Sequence, residues 1–369
     1  MFPSRIQKIQ EYLKNHRIQG ILISNFYHIA YFSGFRGVNP VEQEAALYIS
    51  QEEAILYLPL LYELEGKNLE TIKQGIARLE INRDKNRLMT LFTKKTNSNG
   101  PILFESDDLK VDDFKNISKK LTTKLIPCKN LIHKIKIIKD KEEIQKIQKA
   151  ARITDQIFNS VKKFLEQISY TNLTELDLAE KMRLMARDLG VYEFSFKPII
   201  ASGTGSALPH YHSTNKKLEK NSPLLMDFGV IYQGYCSDLT RNLFLGKANN
   251  EYRHAYKIVK KCNEQSIKKC APKVKSSDLF NQADIYLKQK SKQKLIHVLG
   301  HGLGQEVHEP PYLRAGGKDI LQPNMITTIE PGLYYENKFG IRIEDLVRIT
   351  ETGREVLSKH SSKELIEII

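Results

Sequence analysis

The stretch LLMDFGVIYQGYCSDLTRN, residues 224–242, decides how the C-terminal half of this chain folds. Two strand-like runs flank a short turn-forming segment, which is the pattern of a β-hairpin. If the turn is centred on 232–233, Asp227 and Asp238 lie directly opposite each other. If it is centred on 233–234, they are diagonal neighbours on the same face, because side chains alternate with a period of two. Both alternatives predict two adjacent carboxylates.

A second pair of strand-like runs follows the same pattern. MITTIE (325–330) and GIRIEDLV (340–347) lie on either side of a short polar loop. A loop of odd length centred on Asn337 brings Glu330 and Glu344 onto one shared face of the paired strands. The sequence therefore predicts a second pair of neighbouring carboxylates.

A histidine completes this set. His301 lies between Gly300 and Gly302. Because glycine has no side chain, we expect the backbone there to approach closely any metal that His301 binds. Four carboxylates in one small cavity raise one another's pKa and lose their charge, whereas two divalent cations balance them and leave a coordination position for water. A carboxylate-rich set with one imidazole favours Mn²⁺, with Co²⁺, Zn²⁺ and Fe²⁺ as alternatives. The five side chains predict a two-metal hydrolase.

Length and composition predict a two-domain enzyme. At 369 residues the chain exceeds the usual size of a single hydrophobic core, and its 41% of hydrophobic residues suffices for packed cores. The pattern of elements changes near residue 135. We therefore expect an α/β domain over 1–135 and a catalytic domain over 136–369, and the fold class is α/β (α+β).

The first domain alternates helical and strand patterns. Strands are predicted at GILIS (20–24), AALYIS (45–50), EAILYLP (53–59) and PILFES (101–106). Helices are predicted over 3–16, 61–74 and 111–121, and NFYHIAYFSGF (25–35) is typical of a helix or turn. A polar loop is expected over 93–100.

The second domain begins with a long helical pattern over 139–168. Asp140 and Glu143 form a capping box at its start. The next helix is capped by Thr174 and closed by Gly190. Strands and hairpins then dominate, with further helices near 250–270 and 276–290.

The net charge of +14 raises the question of nucleic-acid binding. The excess is mostly lysine spread over both halves, without an arginine-rich stripe or an aromatic-interleaved patch. Two lysine-rich runs, KKCNEQSIKKC (260–270) and LKQKSKQK (287–294), are typical of solvated helix faces. We therefore expect no nucleic-acid partner.

Cysteine usage and apolar runs indicate a cytoplasmic protein. Cys128, Cys236, Cys262 and Cys270 form no paired framework, so reduced thiols are expected. The N-terminal pattern is charged and amphipathic, without the apolar stretch of a signal peptide. Because no run of about 18 apolar residues occurs, we expect no membrane association.

Taken in order, these motifs resemble a known family. The succession of Asp-x₁₀-Asp, GHGxGxxxHE, IEPG and GIRIED is similar to that of the M24 metallopeptidases, which have the pita-bread fold. FSFKPIIASGTGSALPHYHS (194–213) resembles their proline-specific branch, the Xaa-Pro aminopeptidases and prolidases. NFYHIAYFSGF resembles the creatinase-type N-terminal domain of those enzymes. One departure is APKV (271–274), where the family usually has glycine before the valine.

The resemblance implies a role for each predicted metal ligand. Asp227 would chelate one cation, and His301 with Glu330 would hold the other. Asp238 and Glu344 would bridge the two. Because Glu330 can contact a water between the cations, it is also the expected general base.

A second group of residues is expected to face the substrate. His210 and His308 would stabilise the oxyanion or hold the scissile carbonyl. Arg342 shares a strand face with Glu344 and resembles the family arginine near the site, with an ion-pair role as the alternative. Tyr334 resembles a proton-relay tyrosine.

Three neighbours of these residues carry weaker predictions. Thr240 lies two residues after Asp238, on the same face, and is expected to hydrogen-bond a metal ligand. His212 is left open between a substrate contact and a neighbour without a role. Cys236 is expected to pack beneath the site.

The function implied is cleavage of the Xaa-Pro bond. Proline lacks a backbone N–H, so peptidases that grip the backbone fail there. We favour an Xaa-Pro aminopeptidase acting on peptides with proline in the second position, with a prolidase as the alternative. The family also implies a homodimer, with the NFYHIAYFSGF region near the partner's cleft.

Other functions on the same fold predict different sequences. A methionine aminopeptidase normally lacks this N-terminal domain and the SALPHY motif (206–211). In a creatinase-like amidinohydrolase, or in a binding protein without catalysis, we expect other residues at the positions of the five metal ligands. The complete set of five ligands argues against both.

Overall fold

The computed structural model describes three stretches of the chain, residues 1–37, 44–83 and 100–369. The chain divides into two compact units, Met1–Ile135 and Lys136–Ile369. The polar loop expected over 93–100 lies, apart from Gly100, outside the described residues. None of the described helices combines the length and the apolar character needed to cross a bilayer.

The first unit contains a six-stranded mixed sheet. Its strands are β1 (Gly20–Ile23), β2 (Ala46–Ser50), β3 (Ala54–Pro59), β4 (Arg78–Asn82), β5 (Ile102–Glu105) and β6 (Leu125–Cys128). They lie in the order β4-β3-β2-β1-β5-β6. The β1–β2 and β2–β3 pairs are antiparallel, and the other three pairs are parallel. The predicted α/β class is thereby confirmed.

Helices cover this sheet. They are α1 (Phe2–Asn15), α2 (Phe26–Ser33), α3 (Glu63–Asn68), α4 (Glu70–Lys73), α5 (Val111–Lys120) and α6 (Leu131–Lys136), which ends at the first residue of the second unit. Helix α1 buries Ile6, Ile9 and Leu13, which lie on one helical stripe. Helix α2 is capped by the Asn25 side chain and ends at Gly34, whose φ is +82°.

The structure of the first unit differs from the sequence prediction at three places. The single helix expected over 61–74 is broken, because Leu69 adopts an extended conformation and packs against the core between α3 and α4. Strands β4 and β6 were not predicted. Both lie at the edges of the sheet, where short and partly polar strands carry a weak alternating pattern, and β6 contains Pro127.

The second unit begins with two helices packed on a four-stranded sheet. The elements are α7 (Lys141–Gln167), α8 (Glu175–Asp188), β7 (Ile199–Ser202), β8 (Ser222–Phe228), β9 (Ile231–Tyr232), β10 (Tyr235–Cys236) and β11 (Leu239–Leu245). The sheet contains β7, β8, β11 and a C-terminal strand, and a shared core joins it to both helices. The capping box predicted at Asp140 is confirmed, and so is the cap predicted at Thr174, which forms a capping box with Asp177.

The rest of this unit repeats the arrangement. Its elements are α9 (Asn250–Lys269), α10 (Ser276–Ser291), β12 (Gly300–Gly302), β13 (Glu309–Leu313), β14 (Ile326–Ile329), β15 (Gly332–Tyr335), β16 (Phe339–Arg342), β17 (Asp345–Ile349), β18 (Arg354–Val356) and β19 (Ile366–Ile368). Helices α9 and α10 pack on the sheet β13-β12-β14-β17-β18. Strand β19 pairs in parallel with β11.

The departure in APKV has a backbone consequence. Lys273 occupies the position before the valine and has a φ of +70°. Glycine adopts this left-handed conformation without the steric cost that a side chain brings. The backbone therefore keeps a shape suited to glycine although the residue is lysine.

Candidate metal centre

The first hairpin places two aspartates side by side. Asp227 pairs directly with Thr240 across β8 and β11, so Asp238 is its diagonal neighbour. The turn is centred on Gln233 and Gly234, whose φ angles are +48° and +77°. Two positive φ angles in succession are the geometry of a tight hairpin turn. Of the two predicted registers, the structure confirms the diagonal one.

The second hairpin brings two glutamates together. The β14–β17 ladder and the β15–β16 ladder share one register, which is centred on Asn337. Glu330 and Glu344 lie in the gap between these ladders, at opposed positions. The Asn337 φ of +56° allows the chain to reverse there. The predicted register is confirmed.

His301 is held so that one ring nitrogen faces the carboxylates. Its Nδ1 lies 3.0 Å from the Gly302 carbonyl oxygen, so Nδ1 carries the proton. Its Nε2 lies 3.6 Å from Asp238 Oδ2 and 3.4 Å from Glu330 Oε1. A neutral imidazole fixed in this tautomer can offer Nε2 to a metal.

The glycines beside His301 are required by strand packing. A Cβ at Gly300 would lie 1.9 Å from the Thr328 carbonyl oxygen, and one at Gly302 would lie 2.1 Å from that of Pro310. The sequence prediction attributed these glycines to a close approach to metal. In the structure, the neighbouring strands alone already exclude a side chain.

The predicted residues line one cavity of about 570 Å³. Those that line it are Asp227, Asp238, His301, Glu330, Glu344, His210, His308 and Arg342. Asp227 and Asp238 come from the first sheet and its hairpin, while the other three carboxylate and imidazole groups come from the second sheet. We call these five residues the carboxylate cluster. Both halves of the second unit are needed to build it.

Several oxygens of the carboxylate cluster have no hydrogen-bond partner. Among the described residues, Asp227 Oδ1, Asp238 Oδ1 and Glu344 Oε1 are buried without one. Ligand atoms of Asp238, His301 and Glu344 also lie within 4.8 Å of one another. Buried acceptors without donors are costly unless a cation satisfies them. The donor set therefore fits divalent cations.

The electrostatics agree with this fit. Burial and then the neighbouring carboxylates raise the pKa of Asp238 and of Glu344 well above the ordinary value. Burial raises the pKa of Glu330 to about 8, although Arg342 opposes the shift. Burial lowers the pKa of His301 to about 3, so the ring is neutral. Without bound cations, the cluster has too little positive charge nearby to keep all its carboxylates ionised.

Of the described arginines and lysines, Arg342 alone forms an ion pair with the carboxylate cluster. Its Nη2 lies 2.5 Å from Asp227 Oδ2, and its Nη1 donates to the Tyr334 hydroxyl at 2.8 Å. Its Nε donates to Thr240 Oγ1 at 3.1 Å. Arg342 has the strand-face position expected of it, where it both forms an ion pair and lines the cavity. Tyr334 contacts two residues of the cavity lining, Arg342 and His297, through its hydroxyl.

Thr240 links the two hairpins. Its hydroxyl donates to Glu344 Oε2 at 2.8 Å, which confirms the hydrogen bond expected from its position beside Asp238. The fully buried Arg241 guanidinium forms an ion pair with Asp345 at 2.6 Å and also donates to the Glu344 carbonyl oxygen. These contacts fix the backbone on which the Glu344 carboxylate stands.

The substrate-facing histidines have different surroundings. The His308 ring meets the His301 ring edge to face, with centroids 4.4 Å apart. Burial lowers the pKa of His308. His210 is exposed at the mouth of the same cavity, whereas His212 is exposed and does not line it. The sulfur of Cys236 is buried and lies 3.5 Å from the Gln305 carbonyl oxygen, in the predicted packing position.

One polar residue of the cavity was not predicted. His297 is largely buried, and its Nε2 lies 3.0 Å from the Tyr334 hydroxyl while its Nδ1 contacts the Val298 carbonyl oxygen at 2.7 Å. Burial lowers its pKa to about 4. The even spacing between His297 and His301 in an extended segment was the available signal. Apolar walls were also missed, namely Phe196, Ile199, Val298 and Tyr312.

Comparisons with known proteins identify the family of this chain. The profile of metallopeptidase family M24 matches residues 145–351, and that of the creatinase/prolidase N-terminal domain matches residues 5–138. An Xaa-Pro dipeptidase of Pyrococcus furiosus is 31% identical over 98% of this chain and 99% of its own length.

Solved structures of similar enzymes superpose over the whole chain. The Xaa-Pro dipeptidase from Bacillus anthracis gives a TM-score of 0.89 at 28% identity and covers 99% of both chains. The X-Pro aminopeptidase from Thermotoga maritima gives a TM-score of 0.85 at 28% identity, covering 97% of this chain and 99% of its own. With its two matched domains and its carboxylate cluster, this chain is a peptidase of the metallopeptidase family M24, built on a creatinase/prolidase N-terminal domain and a pita-bread catalytic domain.

Proposed function

We propose that this protein is an Xaa-Pro dipeptidase, a prolidase. The observation that carries the proposal is the similarity to Xaa-Pro dipeptidases across both domains, together with a complete carboxylate cluster. The sequence alone favoured an Xaa-Pro aminopeptidase with a prolidase as the alternative. The relatives support the alternative better.

The carboxylate cluster is proposed to hold two divalent cations, most simply Mn²⁺. Asp227 would hold one and His301 with Glu330 the other, and Asp238 and Glu344 would contribute to both. Bound there, the cations would polarise the scissile carbonyl and lower the pKa of a water molecule. The unpartnered oxygens of the cluster support this assignment.

Glu330 is proposed to move the proton during hydrolysis. Water adds to the carbonyl carbon, the C–N bond breaks, and the proline nitrogen must gain a proton to leave as an amine. A buried carboxylate beside the attacking water can take its proton and return it to that nitrogen. The Thr328 hydroxyl, 3.3 Å from Glu330 Oε1, holds the carboxylate in place.

His308 and His210 are proposed to bind the substrate and to stabilise the oxyanion. Both line the cavity beside the carboxylate cluster. A preorganised donor of this kind contributes about 2.7–4 kcal/mol to catalysis. Arg342 and Tyr334, joined by their 2.8 Å hydrogen bond, would keep Asp227 oriented and relay a proton at the edge of the site.

Specificity for proline is proposed to come from the apolar side of the cavity. Phe196, Ile199 and Tyr312 present apolar surface that a pyrrolidine ring can contact. An alanine in the same position loses methylene contacts, each worth about 1–3 kcal/mol in an apolar pocket. We expect kcat/KM for Xaa-Pro to exceed that for Xaa-Ala by at least about tenfold.

A substrate panel tests the proposal. The Mn²⁺-loaded protein is assayed on Gly-Pro, Ala-Pro, Ala-Ala, Ala-Pro-Ala and Met-Ala-Ser. A prolidase cleaves the two Xaa-Pro dipeptides and leaves Ala-Pro-Ala nearly untouched. Comparable cleavage of Ala-Pro-Ala would favour the aminopeptidase, which the similarity to the Thermotoga maritima enzyme keeps as the second candidate. Cleavage of Met-Ala-Ser at the same rate would refute both.

The same proposal includes a homodimer. The family resemblance suggests that the NFYHIAYFSGF segment, which folds as α2 and its caps, lies near the partner's cleft. Light scattering at assay concentration tests this. A fully active monomer would remove the second subunit from the account.

A further inference from the structure

The loop 303–308 carries His308 to the cavity. It joins β12 to β13, and its Gly304 carbonyl oxygen accepts a 2.7 Å hydrogen bond from the Cys236 backbone N–H. The edge-to-face contact of the His308 and His301 rings depends on where this loop stands. A loop of six residues without regular structure needs other contacts to hold one conformation.

The Glu309 carboxylate fills the inside of this loop. Its Oε1 accepts a 3.2 Å hydrogen bond from the Glu306 backbone N–H. A Cβ added to Gly304 would lie 2.7 Å from Glu309 Oε2, so the loop is wrapped closely around the carboxylate. The Glu309 side chain is only 1% exposed. The residue next to His308 is therefore a buried anion.

Two buried lysines hold this anion. Lys139 Nζ lies 2.8 Å from Glu309 Oε2, and Lys136 Nζ lies 3.1 Å from Glu309 Oε1. Lys136 also forms an ion pair with Glu306 at 2.7 Å, and Lys139 donates to the Lys136 carbonyl oxygen at 2.7 Å. We call Lys136, Lys139 and Glu309 the loop anchor.

The charges of the loop anchor stabilise one another. Burial alone would raise the pKa of Glu309, but the two ammonium groups outweigh it and hold that pKa well below the ordinary value. Burial alone would lower the pKa of Lys136, yet Glu309 and Glu306 keep it above the ordinary value. Glu309 and Lys136 are therefore both charged at neutral pH.

A buried ion pair is a poor device for stability alone, because apolar residues of similar volume stabilise a core as well or better. Its advantage is directional, since two ammonium groups bonded to separate oxygens fix a carboxylate in position and orientation. Here the fixed carboxylate belongs to the residue that follows His308. Both lysines come from a segment about 170 residues earlier in the chain.

We propose that Lys136 and Lys139 are positioning residues of the active site, which hold the Glu309 carboxylate and thereby place the His308 imidazole beside His301. The catalytic part of this inference rests on the proposed function. Neither lysine belongs to the carboxylate cluster or lines its cavity. Their effect passes through the loop 303–308.

The kinetic test uses a charge-compensated variant. Lys139→Met combined with Glu309→Gln removes one cation and one anion, and leaves Lys136 paired with Glu306. A misplacement of about 1 Å in a catalytic group can cost about 10²-fold in rate. We expect kcat on Gly-Pro to fall about 10- to 100-fold, with KM changed less than about threefold and two Mn²⁺ still bound. Lys139→Arg should keep most of the activity.

A double-variant cycle separates positioning from general damage. If the anchor acts through His308, adding the same pair of substitutions to His308→Ala should lower kcat by less than about threefold. Arg253→Met is the matched control, because it breaks the ion pair of Arg253 with Glu367 and neither residue lines the cavity. We expect this control to leave kcat unchanged.

Hydrogen exchange gives a measurement that needs no substrate. In the charge-compensated variant, amides in 303–308 should exchange at least about tenfold faster, while those of α9 (250–269) should keep their protection. Failure of the wild-type enzyme on every Xaa-Pro substrate would refute the proposed function, yet this measurement would still decide the positioning. Unchanged exchange in 303–308, equal losses with and without His308, or loss of Mn²⁺ binding would each overturn the inference.

Discussion

The carboxylate cluster and the loop anchor are both buried groups of charged residues in the same catalytic domain, yet their electrostatics are opposite. In the carboxylate cluster, burial and mutual repulsion raise the pKa of Asp238 and Glu344. In the loop anchor, two ammonium groups lower the pKa of Glu309. The second group is complete as the chain alone builds it, whereas the first needs positive charge from outside. This difference supports the proposal that the carboxylate cluster is the metal-binding site.

Removal of metal should produce the largest effect. Treatment with a chelator is expected to abolish Xaa-Pro hydrolysis, and Mn²⁺ or Co²⁺ is expected to restore it best, because the ligand set is dominated by carboxylates. Turnover is measured after dialysis and again after addition of each cation. Full activity in protein shown by elemental analysis to be free of metal would end the two-metal account.

The histidines that face the substrate should come next. His308→Ala and His210→Ala are each expected to lower kcat by about 10²–10³, the cost of losing one oxyanion donor. Metal content should not change, since neither belongs to the carboxylate cluster. His212→Ala is the matched control, because His212 is exposed and does not line the cavity. Normal turnover in both active-site variants would return these residues to ordinary loop positions.

The same chemical substitution should have opposite effects in the two groups. In metal-free protein, Glu344→Gln removes one repelling carboxylate, so we expect the free energy of unfolding to rise by roughly 1–3 kcal/mol. Glu309→Gln leaves the buried Lys139 without a carboxylate partner and Lys136 with Glu306 alone, so we expect a loss of about 3–5 kcal/mol. Urea unfolding in the presence of a chelator measures both. Changes of the same sign would contradict the comparison.

The pH dependence should show a smaller effect. The Glu330 pKa is about 8 in the folded protein and has an ordinary value of 4.5. Folding thus favours the protonated form, and this contribution is full below pH 4.5 and is lost as the pH rises through about 8. In metal-free protein, Glu330→Gln should therefore gain stability over the wild type as the pH rises, by on the order of 1–3 kcal/mol.

Unfolding at pH 5, 6.5 and 8 measures this gap between wild type and Glu330→Gln. Glu309 has the opposite sign, because its pKa is lowered and its contribution is lost only as the pH falls below the ordinary value. Glu309→Gln should therefore lose its disadvantage at acid pH. A gap for Glu330→Gln that is constant with pH would show that burial does not raise the pKa of this carboxyl.

Short-range geometry in the site was accessible from sequence. The register that joins Glu330 to Glu344 follows from the position of Asn337 alone, because paired positions sum to a constant. Between two registers for Asp227 and Asp238, the choice depended on which residues accept positive φ, and Gly234 was the available indication.

Long-range contacts were not accessible in the same way. The pairing of Arg342 with Asp227 joins residues that are 115 positions apart, and that of Lys139 with Glu309 spans 170 positions. No local pattern encodes which lysine of so many will be buried. His297 was missed for a related reason, since a histidine in an apolar run looks the same whether it packs in a core or faces a cavity.

A calorimetric titration of metal-free protein with Mn²⁺ tests most directly whether the carboxylate cluster holds two cations. The wild type is expected to bind two Mn²⁺ per chain. Asp238→Ala, which removes a residue proposed to bind both cations, is expected to lose both together, whereas Asp227→Ala should weaken mainly one. Unchanged binding of two Mn²⁺ in Asp238→Ala, or fewer than two in the wild type at saturation, would contradict the account.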